Sequence, residues 1–273
     1  MTDATGLSTD TTRPAASYFE RLGPRAFKPT DHASGAWRTD EQHFSPLGGL
    51  LVHAIEQSRA AERRPELVLG RVSFDILGKI DLDEFEIQVE TLRAGRTIEL
   101  VEATAVLSGR AVVRARAWFL ASQDTSAVAG GAPDPLPVPE EAERSSGTSV
   151  WSGGYIASLD WWNAVAPTPG RATTWISTAV GLVGGEPASA LASYIALVDT
   201  ANGLSPRKDP REWMFPNVDL TIHLHRQPEG RWTGLDTSVV FGSGGQGLTS
   251  TVLHDVRGPV GRAEQVLTVR PLA

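Results

Sequence analysis

The sequence contains no cysteine, which excludes disulfide bonds, thiolate metal sites and a cysteine nucleophile. It also lacks any run of about 18 uncharged apolar residues, the length that a membrane-spanning helix needs, so we expect a soluble protein. Lysine is scarce: Lys28, Lys79 and Lys208 are the only lysines, and arginine supplies the remaining fixed positive charge. This bias, together with the alanine content, is typical of a high-GC bacterial genome.

Basic residues are also fewer than acidic ones, 25 Lys and Arg against 32 Asp and Glu. The formal net charge is −7 at pH 7, whereas affinity for nucleic acid depends on basic residues that release counterions, so we predict no nucleic-acid partner. Residues 1–13 are rich in Thr, Asp and Ser and have neither a basic start nor an apolar run. They predict a disordered tail over residues 1–14 instead of a signal peptide. We expect a cytoplasmic protein with no membrane partner.

One segment near the middle differs in composition from the rest. Residues 123–148 collect Gly, Pro, Ser and acidic side chains without apolar periodicity, a composition that buries too little surface to order itself. We therefore predict a linker at 123–148 between an N-terminal domain at 15–122 and a C-terminal domain at 149–273.

The two sides of this linker repeat one order of elements. Apolar residues at helical spacing predict helices at 47–61 and 188–201. Alternating or β-branched runs after each helix predict four strands, at 68–77, 84–92, 97–107 and 111–120 in the first half and at 218–224, 232–241, 247–254 and 260–269 in the second. Two further strands are expected at 154–159 and 173–179. A long helix wrapped by antiparallel strands, present twice, predicts an α+β fold of the double hotdog type.

Three polar side chains of the second half stand at unusual positions. Asp199 lies at the edge of the apolar stripe of its helix, where a carboxylate must find hydrogen-bond donors or act as a base. Gln265 shares a strand face with small and apolar residues, and Asn217 stands just before a strand. Each also has a structural reading: a carboxylate that reaches solvent, a core amide bonded to backbone, and a turn residue.

Other sequence patterns are weaker evidence for a function. Residues 242–247 match the spacing G-x-G-x-x-G, but they lie between two strands with no following helix, so we read them as a hairpin loop. No G-x-S-x-G motif occurs, which weakens a serine acyl-enzyme. His223 and His225 share a strand face with Asp219, a pattern that zinc could use but that an exposed polar face also explains. We predict no metal site and no cofactor.

Several stretches resemble the type II acyl-CoA thioesterase family, the double hotdog thioesterases. In the second half they are SYIALVDTANG (193–203), PNVDLTIHLHR (216–226) and SGGQGLTSTVLHDVRGPVGRAEQVLTVR (243–270). In the first half they are HFSPLGG (43–49) and VETLRAGRTIELVEATAVLSGRAVVRARAWF (89–119). The resemblance extends from about residue 16 to the C-terminus.

This resemblance implies hydrolysis of acyl-CoA to free acid and CoA by a water that Asp199, Asn217 and Gln265 hold, without a cofactor. The family often has Thr or Ser where Asn217 stands, and an amide can take over that role because it both donates and accepts hydrogen bonds. In the first half, Ala117 occupies roughly the position of Gln265, so we expect that half to be inactive.

Substrate contacts follow from the same resemblance. Backbone N–H groups near Gly48 and Gly49, or at residues 184–187, could stabilise the oxyanion. Arg207, Lys208 and Arg226 are candidates for the phosphates of CoA, although residues 206–211 also read as a solvated loop. Acyl-CoA is the expected partner, with a homodimer or higher homo-oligomer implied by resemblance alone. Two other functions stay open: a non-catalytic acyl-CoA-binding protein and a hotdog enoyl-CoA hydratase.

Overall fold

The structure is a computed structural model that describes residues 16–272, so the predicted tail at 1–14 lies outside the described residues. The α-helices are α1 (Phe44–Ala61), α2 (Gly154–Ala157) and α3 (Ala190–Val198). Short 3-10 helices lie at Asp31–Ala33, Ser126–Val128, Pro139–Glu141 and Asp199–Gly203.

The described residues form sixteen strands. Those of the first half are β1 (Ser17–Arg21), β2 (Ala26–Pro29), β3 (Val68–Ile76), β4 (Phe85–Arg93), β5 (Ile98–Leu107) and β6 (Arg110–Leu120). Those that follow are β7 (Glu143–Ser145), β8 (Leu159–Thr168), β9 (Arg171–Thr178), β10 (Gly181–Val183), β11 (Trp213–Met214), β12 (Asp219–Leu224), β13 (Thr233–Phe241), β14 (Gln246–Asp255), β15 (Gly258–Thr268) and β16 (Arg270–Pro271).

Fourteen of these strands form one continuous sheet, in the order β10-β1-β2-β4-β5-β6-β3-β12-β15-β14-β13-β9-β8-β7. The halves meet where β3 pairs antiparallel with β12, for example Ser73 with Thr221. All pairs are antiparallel except β1 with β10, which joins the N-terminal strand to a short strand of the second half. With α1 and α3 packed on this sheet, the fold is the predicted α+β double hotdog.

The two long helices begin and pack for identifiable reasons. His43 caps α1 by accepting a hydrogen bond from the Ser45 amide, and Ser189 caps α3 by accepting one from Ala192. Every residue of α3 from Tyr194 to its end is buried, as expected for a helix that is apolar all round. The helices cross closely at Gly49, where a Cβ atom would lie 2.5 Å from the Cβ of Ala196.

The structure differs from the sequence predictions in several places. Residues 154–159 were expected as a strand, but α2 occupies Gly154–Ala157, with Gly153 at a φ of 107° before it. The second predicted helix ends as an α-helix at Val198, and one tighter 3-10 turn continues it. Strand β8, apart from its first residue, and the short strands β1, β2, β7, β10, β11 and β16 had no counterpart in the prediction.

The predicted linker is partly held by the second half. β7 pairs with β8, the Trp175 indole N–H donates to the Pro137 carbonyl at 2.7 Å, and Pro139 is buried. Proline lowers the conformational entropy of the unfolded segment, so fewer contacts are needed to order it. The domain limits at 122 and 149 stay a prediction.

Within residues 16–272, no helix has the length and apolar character to cross a membrane.

Candidate active site

Asp199 lies at the point where α3 changes into a 3-10 turn. Because α3 is buried from Tyr194 to its end, Asp199 directly after it is buried too, with 6% of its surface exposed. Burial raises the pKa of its carboxyl to about 6, while hydrogen bonds from Asn217 and Gln265 act in the opposite direction. The carboxyl group is therefore ionised at neutral pH, and its pKa lies only slightly below that pH.

One carboxylate oxygen of Asp199 is held by two amides. Asn217 Nδ2 and Gln265 Nε2 each donate to Asp199 Oδ1 at 2.8 Å. The structure thus brings together the three side chains that the sequence singled out, although they come from a helix end, a strand entry and the last long strand. Their catalytic role stays a prediction.

Asn217 is fixed by an isolated bridge to Leu267 just ahead of β12. Its Nδ2 donates a second hydrogen bond, to the Asp219 carbonyl at 3.0 Å. A Thr or Ser hydroxyl has only one donor hydrogen, so it could not make both bonds at once. The amide at this position therefore fits the local geometry of this chain.

Gln265 is buried on the inner face of β15, with 1% of its surface exposed. It pairs with Thr249 of β14, and its Oε1 has no hydrogen-bond partner among the described residues. Gln265 does not border the cavity described next, whereas Asn217 and Asp199 do. Gln265 therefore contacts the Asp199 carboxylate from the side away from the cavity.

A cavity of about 450 Å³ opens beside Asp199. This volume lies in the usual range for small-molecule sites. Apolar side chains from both halves form most of its wall, and its lining includes Ala36, Trp37, Phe44, Ile76, Ile80, Trp151, Ile156, Trp161, Met214 and Val218. The polar residues of the wall include Asp199, Thr200, Asn202 and Asn217 from the second half, and Gln42 and His43 from the first.

His43 is a residue of this site that the sequence reasoning missed as a functional group. Its Nδ1 lies 3.9 Å from Asp199 Oδ2, and its ring packs on Tyr155 at 4.2 Å between centroids. Burial lowers the pKa of the imidazole to about 3, so the ring is neutral. The only signal in the sequence was its place directly before the helix entry at 44–49.

The predicted phosphate contacts do not gather at the cavity. Arg226 forms a bidentate ion pair with the buried Asp255 and also donates to the carbonyls of Gly258 and Pro259. Arg207 and Lys208 are exposed and border a separate shallow depression of about 410 Å³. The structure does not support a substrate role for Arg226, because its donors already serve the protein.

The predicted oxyanion turns also lie away from the cavity. Gly48 and Gly49 are buried within α1, where an amide bonds to the carbonyl four residues earlier. In the other turn, the Gly184 amide donates to Phe19 and the Glu186 amide to Val183. The structure therefore does not support either turn as the oxyanion site.

No cluster of three metal-ligating side chains occurs in the part of the chain that the structure describes, and His223 on β12 and His225 just after it are both exposed.

Comparisons with known proteins agree with this architecture. The sequence model of the acyl-CoA thioesterase N-terminal domain matches residues 33–120, and that of the C-terminal domain matches residues 132–269. No curated protein matches the sequence.

Similar solved structures have the same fold. A protein from Novosphingobium aromaticivorans, provisionally described as a thioesterase, superposes with a TM-score of 0.70 at 16% identity, covering 92% of this chain and 98% of that one. A hot dog protein of unknown function from Alicyclobacillus acidocaldarius gives 0.70 at 14% identity, with 95% and 98% covered. An acyl-CoA thioesterase II from Mycobacterium marinum gives 0.61 at 16% identity, with 93% and 96% covered. Since the two domain matches together span most of its length, the chain belongs to the acyl-CoA thioesterase family.

Proposed function

We propose that this protein hydrolyses acyl-CoA thioesters to a free acid and CoA, with Asp199 as the general base for an attacking water. The observation that carries the proposal is the asymmetry of the Asp199 carboxylate. Two amides fix Oδ1, while Oδ2 accepts no hydrogen bond from a described residue. The carboxylate borders a largely apolar cavity, so the free oxygen is available to a water next to a bound acyl group.

The chemistry follows from this arrangement. Asp199 Oδ2 takes one proton from the water as the water oxygen bonds to the thioester carbon. The C–S bond then breaks, the acid leaves with the water oxygen, and the sulfur of CoA receives the proton from Asp199. A pKa of about 6 suits both steps, since the group must accept a proton and release it near neutral pH.

Asn217 and Gln265 act as positioning residues in this proposal. Their hydrogen bonds stabilise the ionised form of Asp199 and fix the direction of its free oxygen. Gln265 is separated from the cavity, so it would act only through Asp199. Asn217 borders the cavity and could also contact the water.

The class of substrate is supported by the wall of the cavity and by the family. Tryptophan and aliphatic side chains suit an acyl group, and Arg270 and Lys79 at the same cavity provide positive charge for the CoA portion. Lys79 already pairs with Asp81, whereas the Arg270 guanidinium forms no ion pair with a described residue and donates only to the Met214 sulfur. Arg207 and Lys208 stay a prediction for the CoA phosphates.

The test is thiol release from a panel of acyl-CoA chain lengths by the wild type and by Asp199→Asn, which keeps the size of the side chain but cannot act as a base. We expect a loss of about 100- to 10,000-fold in kcat. The control is Asp75→Asn, an exposed carboxylate on β3 outside the cavity, which should leave turnover unchanged.

Other outcomes would point to the other functions. A wild type that binds acyl-CoA without releasing thiol would indicate a binding protein, and hydration of an enoyl-CoA would indicate a hydratase. Full turnover by Asp199→Asn would refute the proposed base.

A further inference from the structure

His43 brings the first half of the chain into the active site of the second half. It is the residue before α1, yet its ring borders the cavity and its Nδ1 lies 3.9 Å from Asp199 Oδ2. Asp199 is 156 positions later in the sequence. The ring is fixed on two sides, by the stack on Tyr155 and by the hydrogen bond that caps α1.

The capping bond determines which ring nitrogen carries the proton. The Ser45 amide donates to His43 Nδ1 at 3.1 Å, so Nδ1 is an acceptor. A neutral imidazole has one donor and one acceptor nitrogen, which assigns the proton to Nε2. Burial keeps the ring neutral at the pH of interest.

The remaining nitrogen, Nε2, is free to serve a ligand. It makes no hydrogen bond to a described residue. The atom is not fully buried. His43 borders the cavity, where an Nε2–H that is not fully buried can meet a ligand. Thioester hydrolysis needs a base for the water and a hydrogen-bond donor for the carbonyl oxygen, because negative charge develops on that oxygen as water attacks. The Asp199 carboxylate and the neutral His43 N–H beside it are such a pair.

We propose that the His43 Nε2–H donates a hydrogen bond to the thioester carbonyl oxygen and stabilises the oxyanion. This inference rests on the proposed function. Water, activated by Asp199, bonds to the carbonyl carbon, and the electron pair of the C=O bond moves to the oxygen that His43 holds. When that pair returns, the C–S bond breaks and thiol is released. His43 transfers no proton in this sequence.

Several other donors near the helix start are used or absent. The Ser45 amide is bound by His43, and Pro46 has no N–H. The amides of Gly48 and Gly49 lie within α1, as described above. A side-chain donor at position 43 therefore takes the place that backbone amides were expected to fill.

Two substitutions separate this role from the capping role. His43→Asn keeps an acceptor close to the Nδ1 position, so it preserves the cap, but its side chain is too short to replace Nε2–H. His43→Gln is longer and places an N–H near the former Nε2, but it loses the capping acceptor. Activity and stability should therefore respond in opposite ways.

The experiment measures kcat, KM and melting temperature for the wild type and both variants, with the acyl-CoA that the wild type hydrolyses fastest. We expect His43→Asn to lose about 100- to 1,000-fold in kcat with little change in KM and a melting temperature near that of the wild type. His43→Gln should retain at least about tenfold more activity than His43→Asn, while its melting temperature falls by about 2 to 4 °C.

The pH profile is the second readout. Because Asp199 remains the base, the acid limb of kcat/KM should stay in the same place in His43→Asn. A shift of that limb would mean that His43 tunes Asp199, and wild-type kcat in His43→Asn would mean that it only caps α1. Either result overturns the inference while the proposed hydrolysis stands. A wild type inactive on every thioester would instead remove the proposed function, and this inference with it.

Discussion

The two halves of the chain share a register but not their chemistry. Ala117 pairs with Val101 in β5 and β6, and Gln265 pairs with Thr249 in β14 and β15, a shift of 148 positions in both strands. The same shift relates the pair of Leu69 with Phe119 to the bridge of Asn217 with Leu267.

Apolar residues in the first half occupy the positions of the polar cluster. The shift of 148 carries Asn217 to Leu69, Gln265 to Ala117 and Asp199 to Leu51, all three buried. An apolar core at these positions has no desolvated charge and no unpaired amide, so it is the stable solution. The second half accepts a buried carboxylate with a raised pKa, as expected for a site that performs chemistry.

The comparison extends to an ion pair. Asp255 in the second half corresponds to Leu107, since Asp255 pairs with Gly258 as Leu107 pairs with Arg110. The Asp255 carboxylate has no exposed surface and accepts both arms of Arg226. We expect Arg226→Ala to reduce the free energy of unfolding by about 3 kcal/mol or more, because it leaves a buried charge without its partner.

Urea unfolding would measure this effect. The control is Arg257→Ala, which removes an exposed ion pair with Glu229 and should cost about 1 kcal/mol or less. Turnover of the folded Arg226→Ala protein should stay near that of the wild type. An unchanged stability together with a much higher KM would restore Arg226 as a substrate contact.

Gln265→Ala would make the last long strand of the second half resemble β6. Removing a hydrogen bond that stabilises the ionised Asp199 raises the pKa of that carboxyl. Protonated Asp199 cannot act as a base, so kcat/KM falls below a pH near this pKa, and the acid limb should move upward by about one unit. Rates from about pH 5 to pH 8 would show the shift.

The exposed Gln246 of β14 provides the control, and Gln246→Ala should leave the profile in place. An acid limb that stays at the wild-type pH in Gln265→Ala would mean that the hydrogen bond to Asp199 contributes nothing in solution.

The smallest expected effect comes from substitutions where α1 crosses α3. A methyl group at position 49 would lie 2.5 Å from Ala196 Cβ and 2.7 Å from the Ala192 carbonyl. We expect Gly49→Ala to destabilise by about 1 to 2 kcal/mol, because overpacking outweighs the gain in helix propensity. In Gly48→Ala the methyl group meets the rings of Phe44 at 3.3 Å and Phe74 at 3.9 Å, and the variant should be nearly neutral in thermal unfolding.

Equal melting temperatures for Gly48→Ala and Gly49→Ala would contradict the close crossing of α1 and α3. A loss of turnover in folded Gly49→Ala, without a loss of stability, would indicate that these glycines stabilise the oxyanion after all.

The sequence predicted the long elements because their physics is local. Alternation in β15 and helical spacing in α1 are visible within ten to twenty residues, and the positions of Asp199 and Gln265 on apolar faces could be read in the same way. The pairing of β1 with β10 could not, because β10 lies in the other half of the chain.

The site shows the same limit. His43 carried no local signal beyond its place before a helix, since its relation to Asp199 exists only after the halves have paired. The ion pair of Arg226 was not predicted for a similar reason: its charge was visible in the sequence, but the buried Asp255 was not recognised as its partner.

The pairing of β3 with β12 has a mechanical consequence. Five residue pairs of this seam, from Asp219 with Asp75 to His223 with Arg71, join the halves into one sheet. A hinge between the halves would have to break these backbone hydrogen bonds in the middle of the molecule. Ligands of the cavity therefore have to enter and leave without a rotation of one half against the other.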